Sequence, residues 1–147
     1  MRDRFWIGLD VGTKTIGVAR AHVGLNHCRP WFTVSREGLK KDIPRLCARV
    51  AQEGDVEGWV VGLPFELDGS EARSARLARQ VGEALAALGL PVYYQDERFS
   101  SLEAERRLHE QGVNTRRQRD VIDQAAAAVI LEDWLRKTAG GTMEIPG

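Results

Sequence analysis

Phe5-Trp6-Ile7-Gly8-Leu9-Asp10-Val11-Gly12-Thr13-Lys14-Thr15-Ile16-Gly17-Val18-Ala19 is the stretch that decides how this chain is read. Residues 5–11 and 15–22 are two β-like runs around Gly12-Thr13-Lys14, a spacing that predicts an antiparallel hairpin with a short loop. Asp10 falls near the turn end of the first strand, in a run that otherwise reads as buried. An unpaired carboxylate in such a position costs several kcal/mol or has its pKa forced up, so a cation, a hydrogen-bond cradle or a metal is expected to answer it.

Working outward, Trp31-Phe32-Thr33-Val34 reads as a third strand, and Ile43 to Gln52 carries Leu46 and Val50 at helical spacing. Val56 to Leu63 is a buried strand, ended by Pro64. Asp68 and Glu71 form a capping box opening a helix through Leu77, Val81, Leu85 and Leu88 that stops at Gly89. Pro91 to Gln95 is a further strand running into Asp96-Glu97-Arg98-Phe99, and Ser100 with Glu103 caps the next helix, which Gly112 ends. Val113 to Arg119 is polar and reads as a mobile loop, while Thr115 and Gln118 match the cap of a last helix. On that helix Ile122, Ala125, Ala126, Val129, Ile130, Trp134 and Leu135 make the core-facing side. The expectation is an α/β domain over residues 1–138, a mixed five-stranded sheet with an antiparallel hairpin and helices on both faces. Residues 139–147 read as a disordered tail.

A chain of 147 residues with 43% hydrophobic content can bury one core. Its 21 cationic and 21 acidic residues cancel, so any surface for nucleic acid has to be local. Only Lys14, Lys40, Lys41 and Lys137 among the cations are lysines. Arginine suits bidentate phosphate contacts, and a compositional bias of the source genome explains the excess equally well. Cys28, Cys47, His22, His27 and His109 have no zinc-ligand spacing, and a reduced, cytoplasmic setting is expected. No segment approaches the ~20 apolar residues of a membrane span, and no signal peptide is evident.

Asp10, Glu97 and Asp123 share one peculiarity: each is an acidic residue at the end of an element, in or beside core-forming sequence. Glu97 follows a strand's carboxyl end, where open α/β sheets put their ligand sites. Asp123 precedes Ala125-Ala126-Ala127-Ala128, and Ala126 and Ala127, three and four residues on, clear space around it and let the helix approach the sheet. Taken singly, each has an ordinary explanation: Asp123 as a solvated helix residue, Glu97 as a partner of Arg98. Jointly, three carboxylates repel unless a multivalent cation binds, and all-oxygen sets select hard ions such as Mg²⁺ or Mn²⁺. Two such ions about 3.5 to 4 Å apart activate water and stabilise a leaving oxygen, which is nuclease chemistry.

The segments GLDVGTKTIGVA, VVGLPFELDGSE, DERFSS and VIDQAAAAVILEDWL, in this order and spacing, resemble the YqgF (RuvX) family of RuvC-like nucleases, over Phe5 to about Lys137. The resemblance implies an RNase H-like fold, with Asp10, Glu97 and Asp123 as the metal-binding triad. It also implies maturation of the 5′ end of pre-16S ribosomal RNA or, in some members, resolution of Holliday junctions. The chain departs from many relatives at Thr15, where they carry Arg, at Phe99-Ser100-Ser101, and in Arg116-Arg117-Gln118-Arg119-Asp120, where they are lysine-rich. Asp120, three residues before Asp123, resembles the paired aspartates of RuvC resolvases and is a candidate accessory ligand; an aspartate favoured by the helix dipole is the competing reading.

Lys14, four residues after Asp10, is a candidate catalytic point charge toward a scissile phosphate, and Thr13 stands beside it in the turn. Arg98 is a candidate for orienting Glu97 or contacting the nucleic-acid backbone, with a structural ion pair as the alternative. Arg116, Arg117 and Arg119 are the preferred basic surface, ahead of Arg73, Arg76 and Arg79, which alternate with Glu71 and Glu83 on a face that reads equally as solvated. The expected partner is structured RNA or a four-way DNA junction. A junction resolvase makes two symmetric cuts and needs a two-fold homodimer; rRNA trimming does not. Two other classes fit less of the chain: an actin- or sugar-kinase-like ATPase, which needs a second Asp-x-Gly domain, and a non-catalytic RNA-binding module, against which the intact triad argues.

Overall fold

The computed structural model describes residues 2–25, 27–64, 73–96 and 116–141. Strand β1 (Arg4–Val11) sets the frame by simple alternation. Phe5, Ile7, Leu9 and Val11 point into one buried cluster, while Trp6 packs against a second cluster on the opposite face. Asp10, an even residue of the same strand, shares the face of Trp6 and Gly8. The sheet order is β3-β2-β1-β4-β5, built with β2 (Thr15–His22), β3 (Arg29–Ser35), β4 (Asp55–Leu63) and β5 (Val92–Asp96). The hairpin expected from Gly12-Thr13-Lys14 is present: β1 and β2 pair antiparallel from Phe5↔His22 to Val11↔Ile16, and the Gly12 amide donates to the Thr15 carbonyl at 2.8 Å. β3 continues antiparallel, whereas β4 and β5 run parallel to β1, so the mixed five-stranded sheet is as expected.

Helices α1 (Leu39–Ala51) and α2 (Arg73–Ala86) cover the face of Leu9 with Ile43, Leu46, Val50, Ala78, Val81 and Leu85. The opposite face is covered by α3 (Arg116–Gly141), through Ile130, Leu131 and Leu135 against Ala21 and Val60. Three boundaries differ from those expected. Helix α1 begins at Leu39 instead of Ile43, because the buried Asp42 carboxylate accepts from the Glu37 and Gly38 amides and supplies the cap that the N-cap residue Gly38 lacks. Helix α3 begins at Arg116, as the Thr115 cap implied, so Arg116, Arg117 and Arg119 stand in its first turn and not in a loop. It continues to Gly141, past the expected domain end at 138, while residues 142–147 lie outside the described residues. The capping boxes at Asp68 and Ser100, and the helix expected to end at Gly112, also fall outside them.

The buried stripe of α3 is offset from the expected one. Ala126, Ala127, Ile130, Leu131 and Leu135 are buried, whereas Ile122, Ala125 and Val129 are only partly so. The offset turns Asp123, four residues before Ala127, toward the sheet. It rests on two strand glycines. A Cβ at Gly17 would lie 2.1 Å from the Asp123 carbonyl oxygen, and one at Gly8 would lie 2.7 Å from that of Ala127. Both obstacles are helix backbone, which cannot step aside as a flexible side chain can. Overpacking of this kind typically costs 1–3 kcal/mol and sometimes more. Gly17→Ala is therefore expected to destabilise the protein by about 3 kcal/mol or more in urea unfolding, and Gly8→Ala by somewhat less. A loss below about 1 kcal/mol for Gly17→Ala would show that the helix can lift off the sheet without cost.

Candidate active site

Asp10 pairs with Gly17 across the hairpin, and Gly17 lies directly beneath the backbone of Asp123. Strand register and helix contact thus bring two carboxylates, 113 positions apart in sequence, to one point of the α3 face. Their proximity is electrostatic as well as geometric. Burial first, and then the Asp123 charge, push the Asp10 carboxyl from its ordinary 3.8 up to about 7. The Thr15 hydroxyl donates to Asp123 Oδ2, so the residue that opens β2 holds the second carboxylate in place. Farther along, Thr33 on β3 donates its hydroxyl to the Asp120 carbonyl at 3.2 Å, and the Gln124 amide donates to that hydroxyl at 2.9 Å. These bonds stitch the N-terminal half of α3 to the outer two strands.

The other expected site residues sort by location. β5 ends at Asp96, paired with Leu63, at the carboxyl edge shared with β1 and β4, two strands from Asp10. Glu97 and Arg98 follow directly in sequence and lie outside the described residues. Thr13 and Lys14 are exposed in the turn between β1 and β2. Asp120 lies on α3 with its carbonyl over β3, on the far side of β2 from Asp10. The arginines at 116, 117 and 119 occupy the first turn of α3, which contains no acidic residue.

Two residues beside the turn were not anticipated. Asp42 is fully buried, and Arg36, with 11% of its side chain exposed, donates from Nε to Asp42 Oδ2 at 3.0 Å. Arg36 also donates from Nη1 to the Gly12 carbonyl at 3.0 Å. The available signal was Asp42 itself, an acidic residue immediately before the apolar run of α1. Its role was hidden because its partners are backbone amides and an arginine six residues earlier.

The donor set suits a hard divalent cation. Asp10 and Asp123 offer carboxylate oxygens only, and the burial and the neighbouring Asp123 charge that raise the Asp10 carboxyl are both conditions that a bound cation would relieve. Among the described residues no group of three or more His, Cys, Asp or Glu side chains is gathered in metal-binding geometry. No helix among them is long and apolar enough to cross a membrane.

Comparison with known proteins supplies the family context. A family model described as RuvX, Holliday junction resolvase, matches residues 4–137. A protein of Anaeromyxobacter dehalogenans named "Putative pre-16S rRNA nuclease" is 48% identical over 134 residues, covering 90% of this chain and 97% of that one. Proteins of the same name from Myxococcus xanthus and Mycobacteroides abscessus are 47% and 42% identical over 131 and 146 residues, covering 88% and 95% of this chain and 85% and 87% of theirs. Among solved structures, Thermus thermophilus RuvC in complex with Holliday junction substrate superposes with a TM-score of 0.54 at 20% identity, over 95% of this chain and 98% of that one. A structure of the same RuvC gives 0.50 at 19% identity, over 92% and 96%. At these identities the superpositions establish the RNase H-like fold of RuvC.

The Asp10 shift sets the pH dependence of the metal-free protein. The unfolded chain ionises Asp10 near 3.8 and the folded one near 7, so the protonated carboxyl stabilises the fold fully below about pH 4. That contribution is lost as the pH rises through 7. Thermal unfolding in chelator is expected to show Tm falling between pH 5 and 8, with Asp10→Asn recovering about 5 °C at pH 8, on the order of 2 kcal/mol. Added Mg²⁺ should recover part of the same loss in the unsubstituted protein. An Asp10→Asn curve as steep as that of the parent would refute the coupling.

Proposed function

Since the chain belongs to the RuvX family, we propose that it is a metal-dependent nuclease processing the 5′ end of pre-16S rRNA, with Asp10, Asp123 and Glu97 as its metal ligands. The observation that carries this reading is the pairing of Asp10 and Asp123 over Gly17, with the Asp10 carboxyl raised to about 7. A protein keeps such a repulsive pair at the end of a core strand when a cation is there to bind. The names of the curated relatives support the RNA substrate. One or two Mg²⁺ or Mn²⁺ ions bound at these carboxylates would supply a water activated near neutral pH and charge stabilisation at the departing oxygen.

The chain's own groups supply the rest. Thr15 fixes the orientation of the Asp123 carboxylate, and the backbone of β1 fixes that of Asp10. Lys14, exposed on the turn that follows Asp10, is the candidate positive charge toward a bound phosphodiester. The arginines at 116, 117 and 119 stand at the positive end of the α3 dipole, where cations disfavour the helix. The start of α3 is thereby a basic helix N-terminus, a setting that suits a nucleic-acid backbone.

A second reading, cleavage of four-way DNA junctions, is favoured by the description of the matching family model and by the fold shared with RuvC. It requires a two-fold dimer to make paired cuts. Purified protein with Mg²⁺ or Mn²⁺, offered a pre-16S 5′ leader, a synthetic junction and duplex DNA, separates the two. Cleavage of the leader at its mature end supports the first reading, and symmetric nicking of the junction by a dimer supports the second. Asp10→Asn and Asp123→Asn are each expected to lower cleavage at least a hundredfold; full activity in either one rules out the carboxylate site. Arg116→Ala/Arg117→Ala is expected to weaken substrate binding and to flatten its dependence on salt, and an unchanged salt slope would move the basic surface elsewhere.

A further inference from the structure

The turn between β1 and β2 separates the two carboxylates along the chain: Asp10 precedes it by two residues, and Thr15, which holds Asp123, follows it directly. Its only internal backbone bond runs from the Gly12 amide to the Thr15 carbonyl. Among the described residues, the remaining anchors both come from one residue. The Arg36 amide donates to the Lys14 carbonyl at 2.8 Å, and Arg36 Nη1 donates to the Gly12 carbonyl at 3.0 Å. Arg36 therefore grips both ends of a three-residue turn in which Thr13 and Lys14 are exposed.

Asp42 holds the grip. Its carboxylate is wholly buried; Oδ1 accepts from the Glu37 amide at 2.8 Å, and Oδ2 accepts from Arg36 Nε at 3.0 Å and from the Gly38 amide at 3.3 Å. A buried ion pair is poor evidence for stability, because desolvation offsets most of the attraction, so its use is better sought in geometry. Only a planar guanidinium with several fixed donors can meet Asp42 on one side and the Gly12 carbonyl on the other; a lysine ammonium lacks the fork.

We propose that Arg36, fixed by Asp42, is a positioning residue of the active site that locks the β1–β2 turn, and so sets Lys14 relative to the Asp10–Asp123 pair. The inference rests on the nuclease reading for its kinetic consequence, though not for its structural one. Displacement of a reacting group by about an ångström is enough to cost on the order of a hundredfold in rate.

The test uses the full-length protein and the double variant Arg36→Met/Asp42→Asn, which removes both charges and leaves no buried carboxylate without a cation. Exchange of the two hydrogen-bonded amides that close the turn, those of Gly12 and of residue 36, is expected to quicken at least tenfold, with Val60 and Val61 of β4 unchanged. Cleavage in Mg²⁺ is expected to lose at least tenfold in kcat with KM within twofold, and Arg36→Lys to fall between the two proteins in both measurements. Should the double variant fail to fold, Arg36→Lys, which keeps a cation for Asp42 without the fork, is read in its place. Unchanged exchange at the turn overturns the inference whether or not the chain cleaves. Faster exchange with parental kcat overturns the positioning role. A parent protein that cleaves no offered substrate while its variant exchanges faster sinks the nuclease reading and leaves the lock standing.

Discussion

The contact on which the rest depends is the seating of α3 backbone on bare strand. Where Gly17 and Gly8 lack side chains, the carbonyls of Asp123 and Ala127 come so close that a single methyl group would not fit. Helix and sheet normally meet through interdigitated side chains. Here the helix drops into the gap, and its own alanines allow it: Ala126 and Ala127 are both fully buried. The consequence is chemical as much as mechanical. A short residue on the helix, Asp123, now meets a short residue on the strand, Asp10, which a helix at ordinary height would leave out of reach.

Bringing two like charges together works against folding, and the surrounding bonds show how the cost is distributed. Asp10 yields by holding its proton to about pH 7. Asp123 is held by the Thr15 hydroxyl, while the helix segment that carries it is tied to β3 through Thr33 and Gln124. On the opposite side of the sheet, the turn is held through Arg36 and Asp42. The site is thus braced from both faces, and the large apolar cluster behind β1 supplies the stability against which the repulsion is held. Functional sites commonly carry local strain that the remaining structure offsets.

Much of this was legible in sequence because it follows from periodicity. The hairpin, the three further strands and the mixed sheet came from runs of apolar residues broken by Gly and Pro, and each strand lies within two residues of its expected bounds. Alternation in Phe5 to Val11 even fixes the face of Asp10, since Ile7 and Leu9 must point the other way. The exact rotation of α3 was not legible. Ile122, Ala125 and Val129 are as apolar as Ala127 and Leu131, so hydrophobicity alone could not choose between stripes one position apart. The choice was made by the glycines of two strands that lie a hundred residues away. The start of α1 was hidden for a related reason: Asp42 caps it through the Glu37 and Gly38 amides, backbone groups that no side-chain pattern reports.

Thr15 meets the carboxylate pair with a neutral hydroxyl instead of a charge. Its hydroxyl donates to Asp123 Oδ2 and so orients that carboxylate, whereas an arginine in the same position would bring a charge to it. Burial first, and then the Asp123 charge, raise the Asp10 carboxyl to about 7, so the pair carries a cost that a bound cation would relieve. Relief of that cost by an entering cation would couple binding of the cation to stability of the fold.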